Sequence, residues 1–177
     1  MILTDEQIKK CILDGTIKIE PFDETKLGTN SYDVHLGDTL AVYERRELDA
    51  KAHNAIRYFN IPYQGFVLQP DTLYLGVTKE YTETLKHVPF LEGKSSIGRL
   101  GIDIHATAGK GDVGFKNHWT LEISVKQPVR VYAGMPVGQL IYFEVSGRID
   151  TPYNEKKSAK YNERNTRPVE SMMYKNF

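Results

Sequence analysis

The feature of this sequence that most restricts its fold is a series of short segments in which apolar and polar residues alternate. The clearest contains Trp119, Leu121, Ile123 and Val125 at every second position. Side chains two residues apart share one face of a β-strand, so this alternation indicates a strand with one buried face. Similar segments, separated by Gly, Pro, Asn and Asp, cover 17–19, 32–42, 66–68, 73–77, 129–131 and 137–145. Many short strands between turn residues predict an all-β sandwich or barrel-like fold.

A single helix is predicted before the strands. Thr4 and Gln7 have the spacing of a capping box, and Leu3 and Ile8 are placed to form a hydrophobic staple. Gly15 follows the last apolar residue of the helical pattern, where a helix commonly ends. After Gly15 the apolar period changes from about 3.6 to 2 residues, which indicates the start of the strands.

Composition narrows the class of protein. The 177 residues include 23 basic and 23 acidic side chains, so no overall field attracts nucleic acid or an anionic membrane, and neither partner is expected. Cys11 is the single cysteine, which excludes an internal disulfide and fits a reducing cytoplasm. One cysteine and five scattered histidines leave no zinc-ligand spacing. Without a leader-like N-terminus or a run of about 18 apolar residues, residues 1–177 are expected to form one cytoplasmic domain.

Residues 92–101, with the sequence EGKSSIGRLG, place a lysine, two serines and an arginine between glycines. If Ser95 starts a helical turn, Ser95 and Arg99 are four residues apart and share one face. Backbone N–H groups at a helix start, together with these side chains, predict a phosphate-binding loop. A polar surface turn is the alternative that these residues leave open.

Residues 105–115 are rich in glycine and end with an acid near an aromatic side chain. Glycine allows the backbone to approach a ligand closely. Asp112 is therefore a candidate acceptor for a sugar hydroxyl, and Phe115 a candidate for packing against a sugar or a base. An ordinary hairpin loop is the alternative.

Two further features carry both a plain and a functional interpretation. Glu122 alternates to the face opposite Leu121, so by default it is a solvent-facing strand residue that matters only if this face is covered. From Thr151 the chain is basic and rich in tyrosine and asparagine, with almost no aliphatic residue before Val169. Such a segment buries little by itself, so it is either a solvated terminus or an arm that orders over an anionic ligand.

Several motifs, in one order, resemble those of the dCTP deaminase family, which is related to the trimeric dUTPases. They are KSSIGRLG, HATAG, D-x-GF, TLE, GQLI and PYNEKKSAKY, and the segments MILTDEQI and SYDVHLG fit that family's beginning. The resemblance covers nearly the whole chain. It implies a distorted β-roll or barrel of the dUTPase type with a short N-terminal helix, assembling as a homotrimer with active sites between subunits. Residues 151–177 would be a C-terminal arm that closes over the nucleotide.

The resemblance also implies the chemistry: zinc-independent deamination of dCTP, with Mg²⁺ bound to the substrate phosphates. The family's catalytic serine, arginine and glutamate fall on Ser95, Arg99 and Glu122. Glu122 would be the general base for the water that attacks C4 of cytosine. Arg99 would keep this carboxylate ionised and oriented, and Ser95 would help fix the water and the base by hydrogen bonds. Asp112 is the fourth catalytic candidate.

The implied substrate contacts come from the same motifs and from the arm: Lys94, Ser95, Ser96, Ile97, Gly98, Arg99, Asp112, Phe115, Thr120, Leu121, Glu122, Gln139, Tyr153, Lys160 and Arg164. Asp112 would meet the deoxyribose 3′-hydroxyl, and Phe115 would exclude a ribose 2′-hydroxyl. Two positions depart from the family pattern. Lys94 stands where arginine is common, which keeps the charge but loses the two-pronged geometry. Arg164 stands where glutamine is usual.

One loop separates two types of enzyme within this family. Members that only deaminate tend to have histidine after the sequence TA, whereas members that also split dUTP into dUMP and pyrophosphate tend to have glycine. Gly109 therefore favours the bifunctional type, although Lys110–Gly111 and Asn117–His118 depart from the usual pattern. The alternatives are a monofunctional deaminase that releases dUTP and ammonia, and a triphosphate-sensing module without turnover. The sequence leaves open whether dTTP is a feedback inhibitor.

Overall fold

The structure is a computed structural model that describes residues 1–177. Eleven β-strands, two short α-helices and three 3₁₀ turns make up the regular structure. The helices are α1 (Asp5–Leu13) and α2 (Ser95–Gly98), and the 3₁₀ turns are Glu24–Lys26, Tyr153–Glu155 and Met173–Asn176. The strands are β1 (Ile17–Glu20), β2 (Tyr32–His35), β3 (Thr39–Tyr43), β4 (Ile56–Asn60), β5 (Phe66–Leu68), β6 (Tyr74–Thr84), β7 (His87–Gly93), β8 (Ile102–Asp103), β9 (Lys116–Val125), β10 (Val129–Val131) and β11 (Pro136–Glu144).

Helix α1 confirms the helix that was predicted from the sequence. The Thr4 hydroxyl accepts the N–H of Gln7 at 3.4 Å, and the Gln7 side chain accepts the N–H of Thr4 at 3.0 Å. Both halves of the capping box are therefore formed. The helix ends shortly before Gly15, whose φ of +75° lies in the left-handed region that favours glycine. No helix in the structure has the length and apolar character needed to span a bilayer.

The strands form three antiparallel sheets. The largest has the order β4–β3–β6–β9–β8, with β1 also paired to β6. A second has the order β2–β11–β7, and β10 pairs with β5. The mainly β prediction is confirmed. The barrel-like form is not seen as a closed ring of hydrogen bonds, because β4 and β8 are opposite ends of an open sheet.

Strand β8 was missed by the sequence patterns because two residues are too few to show an alternation. Strands β4 and β7 were missed for another physical reason. Both lie at the edge of a sheet, and β4 is half exposed. Strand β7 contains Pro89, which lacks the N–H that an inner strand needs but is tolerated at an edge. A proline and mixed polarity therefore hid these two strands.

The three sheets share one hydrophobic core. A cluster of 23 buried apolar residues includes side chains from each sheet, among them Val34, Leu68 and Leu121 with 0% exposure. On β9 the buried residues are Trp119, Leu121, Ile123 and Val125, as the alternation predicts. The opposite face of β9 is free to line a site.

Candidate functional site

A cavity of about 670 Å³ lies between the polar face of β9, the loop after β8 and the C-terminal segment 151–177. The face of β9 that carries Glu122 is thus covered by other parts of the same chain. From the sequence, Glu122 was expected to have a functional role only if this face was covered. Six of the predicted site residues line this cavity: Asp112, Phe115, Thr120, Glu122, Tyr153 and Lys160. Lys110, which with Gly109 forms the loop predicted to separate bifunctional from monofunctional enzymes (the bifunctionality loop), lines it too.

The Glu122 carboxylate is held by a histidine. Its Oε2 accepts a hydrogen bond from His105 Nδ1 at 2.5 Å. The pairing of β8 with β9 sets Ile102 opposite Val125, and extending this register places His105 opposite Glu122. The N–H of Glu122 donates to the carbonyl of Ile104 at 2.9 Å, which is one residue away from that register, so the two segments stay adjacent but the ladder is irregular at this point. His105 was not predicted as a site residue, although it belongs to the HATAG motif. Its partner Glu122 is 17 residues away along the chain, and no local sequence pattern indicates that contact.

Exposure differs between the two members of this pair. The Glu122 side chain is 36% exposed and faces the cavity, whereas the His105 side chain is 8% exposed. His105 Nε2 is buried without a hydrogen-bond partner. The imidazole is thus enclosed, with one nitrogen bonded to the carboxylate and the other free.

The rest of the cavity wall combines cations with aromatic rings. Lys110 Nζ lies 2.6 Å from Asp112 Oδ1, and both side chains are about half exposed. The ring of Phe115 packs between Trp119 and Tyr153, with centroid distances of 4.8 and 6.0 Å. These groups supply charges for an anion and a flat apolar surface for a ring.

The C-terminal segment is attached to β9 by side-chain hydrogen bonds. Asn117, which is 3% exposed, donates to the carbonyl of Glu163 at 2.7 Å and accepts the N–H of Asn165 at 2.9 Å. The Thr120 hydroxyl accepts the N–H of Val169 at 3.1 Å. The segment that the sequence left open as a solvated terminus or an arm is therefore ordered along the cavity.

The other predicted half of the site is α2. Its start at Ser95 confirms the predicted helical turn. Ser95 and Arg99 are exposed, and Arg99 has no ion-pair partner within 4.0 Å. Lys94 Nζ is paired with Asp33 Oδ2 at 2.6 Å, and Ile97 is buried in the core. Lys94 is therefore already ion-paired within the chain, and Ile97 packs α2 against the core.

Within one chain, the two halves of the predicted site lie in different pockets. Ser95 and Gly98 line a second pocket of about 470 Å³, whereas Glu122 lines the larger cavity. His105 lines both. Ser95 and Arg99 are absent from the wall of the Glu122 cavity. The expected meeting of Ser95, Arg99 and Glu122 is therefore not made inside a single chain.

Other predicted contact residues also lie outside the larger cavity. Leu121 is fully buried, because alternation along β9 directs it into the core. Gln139 lies on β11 and accepts a hydrogen bond from the Ser31 hydroxyl at 3.4 Å. The guanidinium of Arg164 lies 4.3 Å from the centre of the Tyr81 ring. Ser96 is exposed on α2.

Gly109 lies where the loop after β8 touches β7. Its carbonyl accepts the N–H of Leu91 at 2.7 Å. A Cβ atom at position 109 would stand 2.7 Å from the Leu91 carbonyl oxygen, which is closer than two such atoms normally approach. Position 109 in the predicted bifunctionality loop therefore has room for glycine but not for a residue with a Cβ atom, unless the backbone shifts.

The fold and the cavity together define a mainly antiparallel β protein with a carboxylate–imidazole pair facing a ligand-sized cavity. A family model described as dCTP deaminase-like matches residues 2–145. The chain belongs to the dCTP deaminase-like family, and the resemblance drawn from its motifs is confirmed.

Two relatives agree with this assignment, and a solved structure shares the fold. A protein of Leptospira biflexa named "dCTP deaminase, dUMP-forming" is 50% identical over 177 residues, covering 100% of this chain and 98% of that protein. One of Clostridium acetobutylicum with the same name is 49% identical over 178 residues, covering 100% and 99%. A crystal structure of 2′-deoxycytidine 5′-triphosphate deaminase from Agrobacterium tumefaciens superposes with a TM-score of 0.63 at 22% identity. That match covers 80% of this chain but 47% of the other chain, and it shows a shared fold.

Proposed function

We propose that this chain hydrolyses dCTP to dUTP and ammonia and then hydrolyses dUTP to dUMP and pyrophosphate, supplying dUMP for thymidylate synthesis. The observation that carries the proposal is the Glu122 carboxylate, held by His105 at the wall of a cavity that also contains Asp112 and Lys160. Identity of about half, over the full chain, to relatives named "dCTP deaminase, dUMP-forming" supports both reactions.

In the proposed deamination, Glu122 is the general base. It takes a proton from water as the water oxygen bonds to C4 of cytosine. Glu122 passes this proton to N3 of the ring, then takes the remaining proton from the new C4 hydroxyl and gives it to the exocyclic nitrogen. The bond between C4 and this nitrogen breaks, ammonia leaves, and C4 becomes the carbonyl of uracil. The carboxylate ends as it began, ready for another turnover. A charged carboxylate is needed for the first step, and in that form it accepts the hydrogen bond from His105.

The proposed substrate position follows the charges and rings of the cavity. Phe115 offers a flat surface to the deoxyribose, and Asp112 an acceptor for its 3′-hydroxyl. Lys110 and Lys160 provide positive charge for the phosphates, with Tyr153 beside them. Because Lys110 is paired with Asp112 in the structure, binding would exchange this exposed pair for contacts with the nucleotide.

We assign Mg²⁺ to the substrate phosphates. No group of three or more His, Cys, Asp or Glu side chains in this chain could hold a metal ion, so the donor set fits neither a zinc centre nor a protein cage for magnesium. When bound with the triphosphate, Mg²⁺ would neutralise phosphate charge. A cytoplasmic location belongs to the same proposal and is supported by the single, free cysteine Cys11.

For the second reaction we propose that a water molecule attacks the α-phosphorus and releases pyrophosphate. Asp112 and Glu122, which both line the cavity, are the two carboxylates proposed to order this water. dTTP, which shares the triphosphate and deoxyribose, is the proposed feedback inhibitor. It would occupy the same cavity as dCTP.

We further propose that the active enzyme is a homotrimer in which each cavity is completed by a neighbouring subunit. Ser95 and Arg99 are exposed on α2 and lie outside the Glu122 cavity of their own chain. An exposed arginine without an ion-pair partner, next to exposed serines, is suited to a ligand or a charged group across an interface. In the trimer, Ser95 and Arg99 of one subunit would meet Glu122 of the next.

A time course of nucleotide products tests the proposed function. Purified protein is incubated with dCTP and Mg²⁺, and ammonia, dUTP, dUMP and pyrophosphate are measured. We expect ammonia and dUMP to rise together with little free dUTP. Accumulation of dUTP without dUMP would establish the monofunctional deaminase instead. Binding of dCTP without ammonia release would establish the sensing module.

A further inference from the structure

We infer, on the basis of the proposed function, that His105 is a positioning residue for the general base Glu122. Its Nδ1–H holds the Glu122 carboxylate directed at the cavity. His105 thereby performs, from within the same chain, part of the task that the family resemblance gives to Arg99.

The direction of the hydrogen bond follows from the chemistry of the pair. An ionised carboxylate only accepts hydrogen bonds, so Nδ1 of His105 must carry the proton. The bond is charge-assisted, and the His105 ring is 8% exposed, so water competes weakly for the donor. Antiparallel pairing beside β8 and β9 fixes both backbones, through the bond from the Glu122 N–H to Ile104. The carboxylate therefore has one well-defined orientation.

A second histidine–glutamate pair in the molecule shows what a purely structural pair looks like. Glu80 accepts both the Nδ1–H and the backbone N–H of His35, at 2.7 and 2.8 Å. The Glu80 side chain is 4% exposed, so both of its oxygens are used inside the protein. Glu122, by contrast, is 36% exposed and keeps one oxygen for the cavity.

The other nitrogen of His105 supports the same assignment. A buried polar atom without a partner is uncommon and calls for an explanation. If the neutral ring is protonated at Nδ1, Nε2 is a bare acceptor, and no N–H is left buried without a partner. The hydrogen bond to Glu122 is therefore the one hydrogen bond that orients the His105 ring, because Nε2 has no partner.

Replacing His105 by asparagine and by glutamine separates the effect of the hydrogen bond to Glu122 from the effect of side-chain packing. Asparagine places its amide near the position of Nδ1 and can still donate to Glu122, whereas glutamine reaches the position of Nε2 and cannot. We expect His105→Gln to lower kcat for ammonia release from dCTP by about 10- to 100-fold, the range expected for losing a hydrogen bond to a charged group. KM should change by less than about threefold, and His105→Asn should recover at least about tenfold of the loss. His53→Asn, which removes a surface histidine paired with Glu170, is the matched control and should retain wild-type kcat.

The possible outcomes are distinguishable. If wild-type protein releases no ammonia, the proposed function fails, whatever the variants do. If wild-type protein is active and the glutamine and asparagine variants have equal kcat values, or if KM alone changes, His105 does not position the base. Melting temperatures of both variants identify any loss of folded protein.

A measurement on the wild-type protein keeps the inference testable even if both variants unfold. Nitrogen-15 NMR of the histidine side chains reports which ring nitrogen carries the proton. We expect His105 to be the Nδ1–H tautomer, with a strongly hydrogen-bonded proton. An Nε2–H tautomer would overturn the inference.

Discussion

At the scale of single residues, Glu122 differs from a strand glutamate that only faces solvent. Its neighbours on β9 are buried, its carboxylate is bonded to His105, and one oxygen faces the cavity. Glu122→Gln keeps the shape of the side chain but removes the base. We expect the Kd for dCTP to stay within about threefold while ammonia release falls by roughly 100-fold or more, measured by calorimetry and an ammonia assay. Turnover close to wild type would disprove the role assigned to Glu122.

Gly109 gives a second prediction at this scale. In Gly109→Ala the new methyl group meets the Leu91 carbonyl oxygen, so the loop after β8 must move, at a cost of about 1–3 kcal/mol. Because this loop carries Lys110 and leads to Asp112, we expect the ratio of dUMP to dUTP among the products to fall more than total ammonia release. Gly93→Ala is the control, since its Cβ would make an ordinary contact of 3.7 Å with Ile104. A product ratio unchanged in Gly109→Ala would contradict the prediction.

At the scale of elements, the C-terminal segment is held to β9 mainly by one side chain. Asn117→Ala removes the hydrogen bonds to Glu163 and Asn165 while leaving the core unchanged. We expect the affinity for a non-hydrolysable dCTP analogue to fall by about tenfold, because binding must then order a looser segment. Asn162→Ala, an exposed position in the same segment, is the control.

Removal of the whole segment extends this prediction. A chain that ends before Thr151 loses Tyr153 and Lys160 from the cavity wall. We expect triphosphate affinity to fall much more than the melting temperature, since the cluster of 23 buried core residues lies entirely before this point. Unchanged affinity after truncation would show that the segment is a terminus and not an arm.

At the scale of the whole molecule, the separation of Ser95 and Arg99 from the Glu122 cavity of the same chain can be tested by mixing chains. Arg99→Ala and Glu122→Gln should each be inactive alone. If sites form between subunits, co-expression of the two variants should restore up to about a quarter of wild-type activity for random assembly. Light scattering checks that the particle is a trimer. Absence of any recovery in mixed trimers would place the complete site within one chain.

The stability of the whole fold should also depend on pH through His87. Burial lowers the pKa of this histidine, opposed by nearby Glu144 and Asp14 and assisted by Lys86, and its Nδ1 is buried without a partner. The unfolded chain takes up the proton near the ordinary pKa of about 6.5, whereas the folded chain takes it up at lower pH. The contribution is therefore fully present above pH 6.5 and is lost as the pH falls below it. We expect the decrease in melting temperature between pH 7.5 and 5.5 to be smaller in His87→Gln, and an equal decrease would contradict the assignment.

Much of the architecture could be predicted from short stretches of sequence. The capping box of α1, the alternation along β9 and the start of α2 at Ser95 each depend on residues within a few positions of one another. Such features are set by local hydrogen bonds and by the periods of helix and strand. The motifs that identify the family are equally local, and family membership followed from them.

The contacts that make a site depended on the tertiary structure. The antiparallel pairing of β8 with β9 brought the loop after β8, with His105, beside Glu122, and the folding back of the C-terminal segment onto Asn117 turned an open strand face into a cavity. The placement of α2 beside a different pocket separated Ser95 from Glu122. The amino-acid sequence by itself determined which segments are strands, which helix begins where, and which residue types are available for chemistry. Only the tertiary structure decided which of those residues meet, because their contacts join positions far apart along the chain, and no local pattern encodes the register that brings them together.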